Sequence, residues 1–195
     1  MRNEKRHAYR RKSIGLVRTK VLLILVSCAA TATVLADMPL PPPALKMVPS
    51  RNLKFAARSD PQTNQTVVYR YDSASGVLGE ALWSFSKWFR DFEISNDGRA
   101  LVAETDYLSL LPRNIPENHV LLAFIVNGKI IRKITIQQLF GSRSKLQPTP
   151  LNVDWGRGLY GIDENGFAFV DTVIGFFIFD AQTGKCVFPP NNHVD

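Results

Sequence analysis

Cysteine is nearly absent from this 195-residue chain, which has only Cys28 and Cys186. They stand on opposite sides of a candidate processing point, so removal of an N-terminal leader would leave no intramolecular disulfide and stability would rest on packing. Histidine is almost as scarce: His7, His119 and His193 are the three copies. None belongs to a His-x-x-x-His pair, which argues against a zinc site. A Gly-x-Ser-x-Gly elbow and a phosphate-cradling glycine loop are also missing, so the commonest hydrolase and nucleotide-binding readings lose their basis. Ser84-Phe85-Ser86-Lys87 has the Ser-x-x-Lys spacing of serine acyl-enzymes. Its partner motifs, Ser-Asp-Asn and Lys-Thr-Gly, are lacking, and its flanks read as strand rather than helix. Cys186, in the apolar run Lys-Cys-Val-Phe, reads as an inert buried thiol. Neither a cofactor nor a metal is expected.

The body of the chain also lacks net charge. The whole sequence carries +7 with a pI of about 9.6. Eight of the 24 basic residues and one of the 17 acidic residues fall within residues 1–20, which leaves 16 of each sign in the remainder. A nucleic-acid surface needs a spread of cations to neutralise phosphates, and none is left, so nucleic acid is not an expected partner.

The local positive excess instead precedes VLLILVSCAATATVLA, an uncharged run ending at Ala36. A basic segment, an apolar segment and small residues before a break make a secretory leader. Cleavage after Ala36 or after Ala32 fits. Two alternatives stay open. Leu25-Val26-Ser27-Cys28 is similar to a bacterial lipobox, which would lipidate Cys28, and residues 21–36 could remain as a short membrane anchor. Each version exports the body to the periplasm, the envelope or the outside.

Residues 37–51 are Pro-rich and read as an extended spacer. Residues 52–190 read as one β-rich domain, followed by a tail at 191–195. Helix is scarce; Ile134–Gly141 offers one turn, stopped by Gly141. Five hairpins are expected: 66–72 with 77–83, 92–95 with 100–104, 120–126 with 129–135, 159–162 with 167–171, and 175–180 with 185–188. Asn127-Gly128 supplies the positive φ angles that a two-residue turn requires. The fold class is therefore all-β, with antiparallel hairpins in an open sheet pair or a propeller-blade-like sandwich.

Two turn types recur. ISNDGRALVAE (94–104) is echoed by GIDENGFAFVD (161–171), and Tyr71–Gly76 by Phe179–Gly184. These aromatic-Asp-x-x-Ser/Thr-Gly and Asp/Asn-Gly turns resemble those of β-propeller blades, and the chain resembles small exported bacterial proteins of unknown function that carry such hairpins. The resemblance implies blade-like meanders, but ten strands are too few for a closed propeller of at least about four blades, unless several chains complete a ring.

The first of these echoes also has the partial spacing of a calcium loop, through Glu93, Ser95, Asp97 and Glu104. Its strand-like flanks favour a plain turn. For binding, the long connections 105–117 and 142–158 are the natural surfaces, with Trp155, Asp154 and Arg157 as contact candidates. For catalysis, Asp91, Glu93, Glu104 and Asp106 form the one set of acids that could pair as glycoside hydrolysis requires. The reading is an exported, non-catalytic binding or interaction protein whose partner is an envelope protein or glycan. Self-association is expected through apolar strands such as Gly175–Asp180, and a carbohydrate-active hydrolase is the alternative. Mass spectrometry of the N-terminus after cell fractionation should show cleavage after Ala36 or Ala32, a lipidated Cys28, or residues 21–36 retained in the membrane; an intact cytosolic chain would exclude export.

Overall fold

The computed structural model describes residues 41–105 and 110–189. The leader with Cys28, the first residues of the spacer, Asp106 and the tail lie outside them. The described residues are all-β, and every strand pairing is antiparallel.

The first sheet is a four-strand meander of β1 (Lys46–Pro49), β2 (Phe55–Asp60), β3 (Gln65–Asp72) and β4 (Val77–Phe85). β1 lies inside the stretch read as a spacer. Pro49, at the exposed sheet edge, costs the ladder little because an edge strand has one side without a partner to donate to. The second sheet begins with β5 (Phe92–Ile94) and β6 (Ala100–Glu104). The chain then leaves it as β7 (Leu110–Pro112) and returns as β8 (Val120–Val126) and β9 (Lys129–Thr135). A single helical turn follows, α1 (Ile136–Phe140), capped by the Thr135 hydroxyl and closed by Gly141 in the left-handed conformation. Two short strands, β10 (Gln147–Pro148) and β11 (Asn152–Asp154), join β7 in a small ribbon. The third sheet is a second uninterrupted meander of β12 (Gly158–Ile162), β13 (Phe167–Thr172), β14 (Gly175–Asp180) and β15 (Cys186–Phe188).

The three four-stranded sheets stack in chain order, with the second in the middle. Side chains alternate across a strand, and in β6 all five residues are buried. Leu101 and Ala103 enter one core with Ala57 and Val68 of the first sheet, while Ala100 and Val102 enter the other with Val170, Phe177 and Phe179 of the third. β8 divides in the same way: Ile125 belongs to the first core, and Leu122 and Phe124 to the second. The shortest strand of the second sheet, β5, touches β1 and β2 on one side and β12 on the other.

All five expected hairpins are present, and Val120–Val126 pairs with Lys129–Thr135 over the residues read from the sequence. Asn127 and Gly128 have φ of 48° and 77°, as the two-residue turn requires. This turn also presses on the first sheet: a Cβ at Gly128 would lie 2.6 Å from the Ser84 carbonyl oxygen. Gly128→Ala should therefore cost at least about 2 kcal/mol, combining left-handed strain with a backbone clash. Urea denaturation would measure the loss.

Candidate functional site

The inner strands of the three sheets converge on an open cleft of about 520 Å³, whose lining includes Arg51, Glu93, Tyr160, Asp163 and Phe169. Local register explains its most prominent side chain. β12 and β13 pair Leu159 with Val170 and then Gly161 with Phe169, so Tyr160 is left over in a bulge. Such bulges re-aim a side chain. Leu159 packs against the core, while Tyr160 keeps 74% of its surface exposed. Asp163 is held by the next turn, where its Oδ1 accepts from the N–H groups of Asn165 and Phe167 at 3.0 and 2.8 Å. Arg51 is exposed on the β1–β2 connection. The cleft thus combines an exposed phenol, a second aromatic ring, one guanidinium and two carboxylates.

Glu93 is one of the acids singled out above, and Asp91 and Glu104 lie near it in the fold. Asp91 and Glu93 are two apart and so share one side of the chain around β5, and the Glu104 N–H donates to the Asp91 carbonyl at 2.9 Å. Lys46 pairs with Asp91 and sits 5.8 Å from the Phe92 ring centre. Glu104 is 7% exposed. Its Oε1 accepts from the Leu159 N–H at 2.7 Å, and it lies so close to Gly158 that a Cβ there would come within 2.1 Å of it. Burial pushes its carboxyl up to about 7; the Leu159 N–H opposes the shift, Asp91 adds to it and Lys46 opposes it. Glu93 is raised as well, chiefly by burial, with Lys46 opposing and Asp91 adding. Among the described residues, no three His, Cys, Asp or Glu side chains are placed to hold a metal ion, so these acids do not converge as ligands.

The other candidates are dispersed. Trp155 is completely buried in the core shared with the third sheet, which corrects its reading as a contact residue. A large indole gains much from burial, and the core it joins also holds Leu111 of the ribbon and Phe177 and Phe179 of the third sheet. The carboxylate of Asp154 accepts from the Gly156 N–H at 2.9 Å. Arg157 stays exposed, 3.8 Å from Asp171. The described residues of the connections 105–117 and 142–158 supply the ribbon, and they bury Leu111, Ile115 and Leu146.

The stretch with calcium-loop spacing is a turn. The Ser95 hydroxyl donates to Asp97, the Arg99 N–H donates to Asp97, and the Ala100 N–H donates to Ser95. Ser84 lies in β4 and Lys87 just beyond it, not one helical turn apart. Sequence reasoning passed over Arg51, Tyr160 and Asp163. Their one sequence signal was a tyrosine between glycines, Gly158-Leu159-Tyr160-Gly161, since glycine inside a strand often marks a bulge. Comparison with known proteins finds no family model and no curated sequence that match the chain.

A carboxyl whose native pKa lies above its unfolded value ionises more readily in the unfolded chain. Glu104 therefore favours the native state fully below about pH 4.5, and this contribution is lost as pH rises through 7. The decline should amount to about 3 kcal/mol between pH 4 and 8. Glu104→Gln keeps an acceptor for the Leu159 N–H and should flatten that slope. Urea midpoints across the pH range would show it.

Proposed function

We propose that this chain is an exported, non-catalytic binding protein of the cell envelope, with the cleft of Tyr160, Arg51, Glu93 and Asp163 as its recognition surface. The exposure of Tyr160 carries this reading. A phenol that a bulge turns out of the sheet, in a cleft also lined by charged groups, is a ready contact for a ring face bearing hydroxyls. Tyr and Arg are the side chains that most often dominate binding energy. The neutral body and the basic, apolar leader support delivery outside the cytoplasm. An envelope glycan fits the cleft better than a nucleic acid, because Glu93 and Asp163 would repel phosphates while accepting hydroxyl hydrogen bonds.

A carbohydrate-active hydrolase remains the second reading, favoured by Glu104, a carboxyl held near neutral pH beside the Lys46-paired Asp91. Binding is preferred because Glu104 does not line the cleft and its Oε1 is engaged by Leu159. Titration with a panel of envelope oligosaccharides should find a ligand whose affinity falls at least about tenfold in Tyr160→Ala and Arg51→Ala. Unchanged affinity in both variants would remove the cleft from the reading. Release of new reducing ends, abolished in Glu104→Gln, would favour the hydrolase.

A further inference from the structure

Among the described residues, both ends of the stack present a sheet face that no other sheet covers. In the third sheet, Ala168, Val170, Phe177 and Phe179 point into the core, so the alternate residues lie on the opposite face. Phe169, Ile178 and Phe188 stand there in register across three strands. Phe176 and Phe188 are each 50% exposed. In the first sheet, Val48, Ala57 and Val68 face inward, and Met47, Arg58 and Val67 are aligned on the other side. Met47 is 43% exposed. Monomers rarely leave apolar patches larger than a few hundred Å² open to water.

We propose that two copies of this chain join head to tail into one ring of six sheets. The free face of each third sheet packs on the free face of the other copy's first sheet. The molecule already uses this contact twice, first sheet on second and second on third, always stacking in chain order. Continuing that order from the third sheet leads to a first sheet, not to another third sheet. The number of copies follows from closure: rings of such sheets hold about four to eight, so at three sheets per chain two copies close within the range and three copies exceed it.

Charge agrees with the direction. Arg58 lies among the apolar groups of the first face, and Asp171 and Asp180 lie among those of the third. Head-to-tail contact opposes unlike charges, whereas joining two third sheets would oppose carboxylates. Arg58 is steadied by Asp60 and Asp171 by the exposed Arg157, so this contrast sets register more than strength. Four strands about 4.8 Å apart and some six residues long give a face of roughly 380 Å². Four such faces meet in the ring and cover roughly 1,500 Å², within the range of stable interfaces. The two clefts would then face one another across the ring centre, with Tyr160 and Arg51 of both copies lining one channel. The pairing does not depend on what the cleft binds.

Sedimentation of the full chain at micromolar concentration should give a species of twice the chain mass. Phe176→Asp and Met47→Asp should each reduce it to a single chain with near-ultraviolet circular dichroism unchanged; Phe188→Ser takes the place of Phe176→Asp should that variant misfold. An equimolar mixture of the two variants retains one intact contact of the two and should regain a two-chain species, at least tenfold weaker than the natural pair. A natural chain that stays single overturns the proposal. So does a pair broken by Phe176→Asp but indifferent to Met47→Asp, which would indicate third sheet on third sheet. Mass that grows without limit would overturn closure.

Discussion

Strands β6 and β8 of the second sheet are buried on both faces, and the rest of the molecule depends on that. β6 sends Leu101 and Ala103 into one core and Ala100 and Val102 into the other. A strand covered on both faces loses the usual alternation of apolar and polar residues. Hence Val120–Val126 reads as an unbroken apolar run, and its exposed neighbour β9 carries Lys129, Arg132 and Lys133. The outer sheets cover that slab, and each has only one face to bury. Their inner edges meet where the middle sheet is narrowest, at the three residues of β5, and this is where space is left for the cleft.

Glu104 is the exception within this arrangement. It ends a strand that is otherwise entirely apolar, and it is the one charged residue among the described residues that is buried by its accessible surface. A carboxylate there would normally be driven out by its lost hydration. Instead it meets the backbone N–H of Leu159, and Gly158 lets the two sheets approach closely enough for that bond to form. The same N–H fixes the start of β12, one residue before the bulge that exposes Tyr160. A buried acid and an exposed phenol are thus two results of one local backbone geometry.

Much of the fold was legible because glycine turns carry strict conformational demands. Asn127-Gly128, Asp97-Gly98 and Asn165-Gly166 each marked a hairpin that the structure contains. β1 and β2 were hidden, one by the prolines around it and the other by Phe55–Asp60, a run containing Arg and Asp whose alternation is weak. The ribbon strands of two or three residues are too short to show any period. The cleft was less legible than the fold. Asp91 and Glu93 were readable as neighbours on one strand side, but the burial of Glu104 depends on a partner 55 residues away. Trp155 stands between the polar Asp154 and Arg157 in sequence, and its burial depends on a core assembled from residues as distant as Leu111 and Phe179.

The turn at Asn96-Asp97-Gly98 is tied to both outer sheets. Asn96 accepts from the backbone N–H of Asn52 through its side chain and from the Asn52 amide through its carbonyl, each at 2.8 Å. Asp97 accepts from Gln182 at 2.7 Å, and the Gly98 carbonyl accepts from the Trp83 indole at 2.8 Å. Neither flanking layer can peel away from the middle one without first breaking bonds at these three residues. Transient opening is thereby shared among all the layers, and amide protons far apart along the chain become exposed to solvent together as one cooperative unit.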